Sequence, residues 1–307
     1  MPDIFNGHTA VLAGHGFSSK SPYLTINDVE AKTVNYLPVL GRTFTLERLP
    51  GRRCIGRFDL ETYEKSVCPM NVELLPDSKE TMCPACIEAT GFNPSFYFSD
   101  HVSPQQRAYN MTPHFVYLAY FSPQHVKAGI SSETRGIERL LEQGARAGRI
   151  VGRFPNADAA RGLEAALCAQ EDVLETMRAS LKTRLLVESR FDPNEAVEVL
   201  DAAAKRLGAV PAVAQAGFSP EPACDLSPFY FGGPSPDVHD ITLPDPDRFD
   251  AVCGGRCIGM VGGNLVFQQG QMAFVTSVKE WESYEVRFLD GEVACEYDSE
   301  PQQFSMF

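Results

Sequence analysis

The stretch HFVYLAYFSPQHVKAGISS, residues 114–132, decides how the middle of the chain folds. Two runs of β-branched and aromatic residues flank Ser122-Pro123-Gln124, a short polar connection. Apolar runs joined by a tight turn are typical of a β-hairpin. We therefore predict two paired strands, at 114–121 and 126–130.

The residues that follow the hairpin alternate between helical and strand patterns. A first helix carries Ile137, Leu140, Leu141, Gly144 and Gly148 on one stripe. A second helix, capped by Asn156 or Asp158, carries Ala160, Leu163 and Leu167 on its apolar side. The further predicted elements are a strand at 149–154, a helix carrying Val173, Leu174, Met177 and Leu181, and a helix that begins at Asp192-Pro193 and stops at Gly208.

The flanking regions have a different character. Short β-like runs such as 23–26 and 44–46 precede a loop-rich stretch at 51–100, and residues 256–289 return to β patterns after a segment rich in Pro, Gly and Asp. We predict an α+β fold in four parts. These are a β-rich N-terminal region with a zinc loop (1–105), a small α/β core with a short antiparallel sheet and helices (106–210), an acidic Pro/Gly linker (211–250) and a β-rich C-terminal region (251–307).

Composition favours a cytoplasmic protein that does not enter a membrane. No apolar run reaches the ~18–20 residues needed to span a bilayer, and the N-terminus lacks the pattern of a secretory signal. The net charge is −13, which disfavours nonspecific binding to duplex DNA. Residues 111–190 nevertheless hold 11 Lys and Arg against 9 Asp and Glu, so any contact with nucleic acid would come from there.

Four of the nine cysteines form a pattern that predicts a structural zinc site. Cys83-Pro84-Ala85-Cys86 is a CxxC pair, and Cys54 and Cys68 lie upstream at separations that loops can close. Zinc takes four thiolates in a tetrahedron, and a CxxC turn supplies two of them. A redox CxxC or plain burial is the alternative, although Pro84 lies in a polar loop rather than at a strand–helix junction.

The remaining cysteines are less informative. Cys224, Cys253, Cys257 and Cys295 have loose spacing, and Cys257 and Cys295 lie in strand-like runs where a small apolar side chain fits. We predict that they are core residues rather than a second metal site.

The hairpin and the helices after it resemble the GIY-YIG nucleases. In that family a strand ending in Gly-Ile-Tyr is followed by a second strand with Tyr-Ile-Gly, a helix with an Arg and a later helix with a metal-binding Glu. Tyr117, Gly129, Arg139 and Glu164 match these positions. Phe115 stands in place of the first Gly and Lys127 in place of the second Tyr, and the chain has no match for the late Asn.

A larger stretch, about 53–289, is similar to a bacterial family of uncharacterised function. That family joins a cysteine-rich region to the pattern His-x-Val-Tyr-Leu-Ala, Lys-x-Gly-Ile-Ser/Thr, Arg and Gln-Gly-Ala. The matching residues are His114 to Ala119, Lys127 to Ser131, Arg139 and Gln143 to Ala145.

The nuclease resemblance implies a catalytic set of Tyr117, Lys127, Arg139 and Glu164, with Mg²⁺ or Mn²⁺ at Glu164. Each residue also has a structural interpretation. Glu164 projects from the apolar side of its helix, where a carboxylate needs a partner such as a buried Arg or a cation. Arg139 shares a polar face with Arg135 and Arg146 that is either solvated or able to bind an anion.

The two residues of the hairpin have alternatives of the same kind. Tyr117 either packs with Phe115 or takes part in chemistry, and Lys127 can orient an anion or lower the pKa of Tyr117 by its charge. His114 points to the opposite strand face, which favours a hydrogen-bonded structural role.

Three functions remain open from the sequence. The first is metal-assisted hydrolysis of a phosphodiester in nucleic acid. The second is an enzyme of small-molecule metabolism that uses the same cleft for an anionic substrate. The third is a noncatalytic zinc protein that binds RNA or a protein partner.

Overall fold

The computed structural model describes Gly7 and residues 9–92, 102–188, 191–233, 241–242, 252–270 and 272–291. The fold is α+β, as the sequence predicts. Two large sheets organise it, and the cysteine-rich loops attach to one of them.

The first sheet has nine strands and draws on both ends of the chain. Its N-terminal strands are β1 (Thr9–Ser18), β2 (Ser21–Asp28), β3 (Thr33–Pro38) and β4 (Thr43–Arg52). The cysteine module, residues 54–90, follows with strands β5 (Arg57–Phe58) and β6 (Lys65–Ser66) and helix α1 (Pro84–Thr90). A short helix, α2 (Pro104–Asn110), leads into the second sheet.

The predicted hairpin forms the centre of the second sheet. Strands β7 (His114–Ser122) and β8 (His125–Ser132) pair antiparallel, and helix α3 (Glu138–Gln143) leads to β9 (Ala147–Phe154) on the other side of β7. Helix α4 (Ala157–Cys168) begins after the Asn156 cap, whose side chain accepts from the Ala159 N–H.

The chain then departs once from the predicted order. Val173 and Leu174 form a short strand, β10, parallel to β8, and the next helix α5 (Ala179–Glu188) starts only afterwards. The prediction of a helix over Val173 and Leu174 was wrong. These residues lie beside the edge of β8, where an extended backbone gains hydrogen bonds to that strand. Helix α6 (Pro193–Gly208) has the predicted bounds, with Asp192 as its cap.

The segment predicted as a linker carries regular structure in its described part. It contains α7 (Pro211–Gln215), β11 (Cys224–Asp225) and α8 (Ser227–Phe231), and β11 completes the second sheet in the order β10-β8-β7-β9-β11. Tyr230 of α8 is fully buried and donates to the Ala145 carbonyl at 2.6 Å.

The C-terminal strands close the first sheet. They are β12 (Ile241–Thr242), β13 (Val252–Val261), β14 (Asn264–Gln269), β15 (Met272–Ser277) and β16 (Tyr284–Asp290). The strand order is β12-β15-β14-β13-β4-β16-β1-β2-β3.

Two cores result, one on each face of β7. Val116, Leu118 and Tyr120 pack against α4 and α6, whereas Phe115, Tyr117 and Phe121 face the nine-stranded sheet. All nine residues of β7 are buried as a consequence. The second sheet is therefore a middle layer between helices and the larger sheet.

Candidate functional site

The four predicted zinc cysteines come together in the cysteine module. Cys54 follows β4, Cys68 follows β6, Cys83 caps α1 and Cys86 lies in its first turn. Their sulfur atoms all lie within 4.8 Å of one another, and the sulfurs of Cys68 and Cys83 are 4.0 Å apart. Each residue is at most 8% exposed.

This geometry fits a tetrahedral metal ion of the size of zinc. Zinc–sulfur bonds of about 2.3 Å place the thiolates of a tetrahedral site about 3.8 Å apart. The Cys54 sulfur accepts the Cys83 N–H at 3.1 Å and the Gly56 N–H at 3.4 Å, which stabilises a thiolate. Burial and the neighbouring Cys83 thiol raise the pKa of Cys86, so the cluster becomes fully ionised only when a cation balances it. The four residues can therefore hold a metal ion.

A buried arginine fastens the cysteine module to the first sheet. Arg52, 6% exposed, directs its guanidinium at the loop before Cys83 and at the hydroxyl of Ser283. The carbonyl groups that accept from it belong to Leu75, Pro76, Ser78 and Glu80. One cation thus fixes the loop that delivers two of the four thiols.

The other cysteines lie apart from this cluster. Cys253 and Cys257 are fully buried on β13, Cys224 is exposed, and Cys295 lies outside the described residues. In the described ranges, the four-cysteine cluster is the single group of three or more metal-ligating side chains.

The four residues that the nuclease resemblance singled out are connected by electrostatic interactions. Tyr117 of β7 and Lys127 of β8 point to the same sheet face, because Tyr117 pairs with Gly129 and Ala119 pairs with Lys127 in register. The Tyr117 hydroxyl lies directly over Gly129, where a Cβ atom would be 2.5 Å from the phenol oxygen. A side chain at position 129 would therefore displace the phenol.

Arg139 of α3 is the cation that affects the pKa of the Tyr117 phenol most. Burial raises the pKa of Tyr117, and the Arg139 guanidinium opposes that rise by its charge and by hydrogen bonding. Tyr117 is 1% exposed and the Arg139 side chain 35% exposed. The arginine is accessible from solvent, whereas the phenol lies beneath it.

Glu164 lies on α4, which packs on the face of β7 opposite Tyr117. Its carboxylate is half-buried and interacts electrostatically with Lys127 and Tyr117. Burial raises the pKa of Glu164 and Lys127 opposes that rise. Among the described residues the Glu164 carboxylate makes no hydrogen bond and no ion pair, so its oxygens remain available to a ligand.

Lys127 has a similar environment. Its ammonium donates to the Ala128 carbonyl at 2.9 Å, and burial lowers the pKa of Lys127 while Glu164 opposes that change. Both Lys127 and Arg161 lower the pKa of Glu164 by their charge, so the cations near this carboxylate are a lysine and an arginine. We call Tyr117, Lys127, Arg139, Glu164 and Lys182, described next, the charged hollow.

Lys182 of α5 is a member that sequence reasoning missed. Its ammonium donates to both the carbonyl and the side-chain oxygen of Gln143 at 2.9 Å and lies 4.9 Å from the Phe121 ring. Burial, helped by Lys127 and Arg139, lowers the pKa of Lys182 to about 8. No local pattern marks this lysine, because it reaches the hollow only through the packing of α5 against β7.

Two further expectations have clear outcomes. His114 is buried and its ring nitrogen Nδ1 is 2.7 Å from the Thr112 carbonyl oxygen, in the predicted structural role. The predicted face of three arginines was wrong, because α3 ends at Gln143 and Arg146 is buried over the Phe191 ring. Arg135 and Arg139 both pair with Glu142, Arg139 at 3.7 Å, and their side chains are similarly exposed.

Fold and site together define an α+β protein with a buried four-cysteine cluster able to hold a metal ion, and with a group of charged residues around Tyr117. The chain belongs to the family described as Protein of unknown function (DUF2797), whose model matches residues 41–286. That range contains the four cysteines and every residue of the charged hollow. Neither the curated proteins nor the solved structures contain a match to the chain. In the described part of the chain, no helix is both long and apolar enough to cross a membrane.

Proposed function

We propose that the chain is a zinc-stabilised hydrolase of phosphate diesters, which uses a divalent cation bound at Glu164. The observation that supports the proposal is that Tyr117, Lys127, Arg139 and Glu164, which lie on four different elements, influence one another electrostatically. The GIY-YIG resemblance supports the same roles for three of the four residues.

Each group has a definite task in this proposal. Glu164 would hold Mg²⁺ or Mn²⁺, and the cation would neutralise part of the charge of the phosphate. Arg139 and Lys127 bind the remaining phosphate oxygens, whose charge changes most as the transition state forms. Tyr117, buried beneath Arg139, orients that guanidinium by hydrogen bonding. Water adds to phosphorus, the bond to the leaving oxygen breaks, and the proton of the water passes to solvent.

The substrate we favour is small. Helix α5 lies beside the hollow, fixed by Lys182 to Gln143 and by the Thr183 hydroxyl to Asn264 at 2.8 Å. A helix in that position restricts the approach of a long duplex, and the net charge of −13 repels it. A small anionic diester meets neither obstacle. We therefore favour a small-molecule diester as the substrate.

The experiment compares hydrolysis of bis(p-nitrophenyl) phosphate with that of single-stranded DNA and RNA, in Mg²⁺ and in Mn²⁺. We expect turnover of the small diester that Glu164→Gln and Arg139→Ala each reduce by at least ~100-fold, an effect typical of transition-state groups. Glu171→Gln and Arg184→Ala, at exposed positions outside the hollow, are the matched controls and keep full activity.

The outcomes separate the three functions. Cleavage of polynucleotides in preference to the small diester favours a nuclease. Absence of hydrolysis with every substrate, in protein that carries its metal, contradicts the proposal. If Glu164→Gln then changes stability alone, the noncatalytic binding protein becomes the better description.

A further inference from the structure

We propose that Glu142 is a built-in counterion that competes with anionic ligands for Arg139 and so sets the anion affinity of the charged hollow. A phosphate or sulfate ion takes the place of the Glu142 carboxylate at the Arg139 guanidinium. The inference rests on the anion-binding role given to the hollow under the proposed function, but its test measures affinity and needs no hydrolysis.

The Glu142 carboxylate has two arginine partners and holds them differently. Oε2 of Glu142 accepts a hydrogen bond from Nη2 of Arg135. The same oxygen is 3.7 Å from Nη1 of Arg139, which is longer than a hydrogen bond. One oxygen therefore takes part in a tight ion pair and in a loose one, and the loose pair is the one that an incoming anion breaks more easily.

The position of the loose pair on α3 also makes it weak. Arg139 and Glu142 are three residues apart on one short helix, and their side chains are 35% and 24% exposed. An acidic residue that precedes a basic one on a helix interacts more favourably than the reverse order, and the reverse order is found here. Partly exposed pairs of this kind contribute little to stability. Arg139 can therefore leave Glu142 while α3 stays folded.

Glu142 keeps other partners when Arg139 leaves. The hydrogen bond from Arg135 remains, and the carboxylate also interacts electrostatically with Lys65. The backbone of Glu142 is hydrogen-bonded to the His15 ring on β1, which fixes the base of its side chain. A half-buried carboxylate without a partner would oppose the exchange. Because Arg135 stays in place, the exchange leaves no such carboxylate.

The cations near Arg139 favour an anion with more charge than one carboxylate. Burial lowers the pKa of Lys182 to about 8, and the charges of Lys127, Arg139 and Lys279 add to this effect. Like charges that lower the pKa of a lysine are themselves stabilised by an added anion. A dianion therefore gains more from these cations than a singly charged ion does. The competition with Glu142 favours strongly charged ligands over weakly charged ones.

The test measures the sulfate affinity of the full-length, zinc-loaded protein by isothermal titration at constant ionic strength. Glu142→Gln should bind sulfate at least ~5-fold more tightly than the wild type, because it removes a negative charge 3.7 Å from the guanidinium. Glu138→Gln is the matched control. It removes one charge from the same helix, from a carboxylate that is hydrogen-bonded to the backbone of Ser19 and Lys20.

The control variant should change the affinity less than ~2-fold, because screening by salt weakens the influence of a charge that does not contact the ligand site. Equal gains for Glu142→Gln and Glu138→Gln would show a general effect of net charge and overturn the proposal. No gain for Glu142→Gln would overturn it as well.

A double-mutant cycle isolates the contribution of Arg139. Arg139→Met should weaken sulfate binding at least ~5-fold, and Glu142→Gln added to that variant should change the affinity less than ~2-fold. The same gain with and without Arg139 would contradict the exchange. Absence of sulfate binding by both the wild type and Glu142→Gln would contradict it too. Thermal unfolding and zinc content report whether each variant folds.

If Glu142→Gln does not fold, the wild-type protein decides. Crystals soaked in selenate, a heavier analogue of sulfate, should show the anion at Arg139, with this side chain moved away from Glu142 and Arg135 still paired. Selenate bound elsewhere, or bound while Arg139 keeps its contact with Glu142, overturns the proposal. Failure of diester hydrolysis leaves these results unaffected, so the two proposals fail separately.

Discussion

The phenol oxygen of Tyr117 occupies the space in which a Cβ atom of Gly129 would lie, 2.5 Å from that position. The two residues are cross-strand partners in β7 and β8, so this contact follows from the register of the hairpin. It explains why a glycine at 129 accompanies a tyrosine at 117. Neither residue can change alone without moving the other.

Gly129→Ala should therefore disturb the charged hollow through Tyr117. We expect a loss of about 1–3 kcal/mol in the free energy of unfolding, the usual cost of overpacking. Hydrolysis should fall by at least ~10-fold because the phenol is displaced beneath Arg139. Urea unfolding and the diester assay measure the two effects.

Gly162→Ala is the matched control for this substitution. Gly162 lies in the middle of α4, and no heavy atom is within 4 Å of the position of its added Cβ. Alanine should stabilise the helix by about 0.5–1 kcal/mol. Equal effects of the two substitutions would show that the Tyr117 contact is irrelevant.

Metal analysis of the purified, reduced protein should find about one zinc per chain, since the four thiols form one cluster. Cys83→Ser should abolish stoichiometric zinc and expose the cysteine module to proteolysis. Cys224→Ser, at an exposed position away from the cluster, should leave zinc content unchanged. Metal-free wild-type protein that resists proteolysis equally well would contradict a structural role.

Arg52→Met should weaken the attachment of the cysteine module. The substitution removes hydrogen bonds to four loop carbonyls and to Ser283, and we expect a loss of about 3 kcal/mol or more in unfolding free energy. Arg57→Met changes an exposed arginine of the same module and serves as the comparison. Denaturant unfolding of both variants, followed by zinc release, measures the difference. Equal free energies of unfolding for the Arg52→Met and Arg57→Met variants would show that Arg52 does not fasten the cysteine module to the sheet.

The lowered pKa of Lys182 leads us to expect opposite effects of alkaline pH on anion affinity and on the free energy of unfolding. Its pKa is lowered from 10.5 to about 8 in the folded chain. Between these values the unfolded chain binds more protons, so stability contributed by this group rises as pH increases from about 8 to 10.5. Over the same rise the hollow loses a positive charge, and its affinity for an anion falls.

Sulfate is a suitable probe because its own charge is constant over this pH range. We expect its affinity to fall by roughly threefold to tenfold between pH 7 and pH 9.5, and Lys182→Met to remove that dependence. Lys79→Met, at an exposed lysine, should retain the wild-type profile. A pH profile that Lys182→Met leaves unchanged would exclude this lysine as the titrating group.

Local sequence patterns predicted much of the fold. The 114–132 hairpin and the helix that begins at Asp192-Pro193 and ends at Gly208 depend on neighbouring residues, and both appear where the patterns place them. The CxxC spacing likewise identified the four cysteines that come together. Val173 and Leu174 were misassigned because a vacant position beside β8, which sequence periodicity does not reveal, determined their structure.

The charged groups were harder to predict, because tertiary packing brings them together. Lys182 belongs to the hollow through the position of α5, and Arg52 reaches Ser283 through the pairing of β4 with β16, more than two hundred residues apart in sequence. The Pro- and Asp-rich composition of 209–250 likewise gave no sign that Tyr230 is buried, with its hydroxyl donating to the Ala145 carbonyl. Long-range contacts of this kind leave little trace in one sequence.

The position of β16 between β4 and β1 has a consequence for synthesis of the protein on the ribosome. Strands β1 to β4 emerge early, but the strand that joins β1 to β4 emerges more than two hundred residues later. Until then, both of these strands present unpaired backbone groups that can associate with other chains. The nascent chain therefore has a long interval in which chaperones would protect it, and slowing translation after β4 should increase its aggregation.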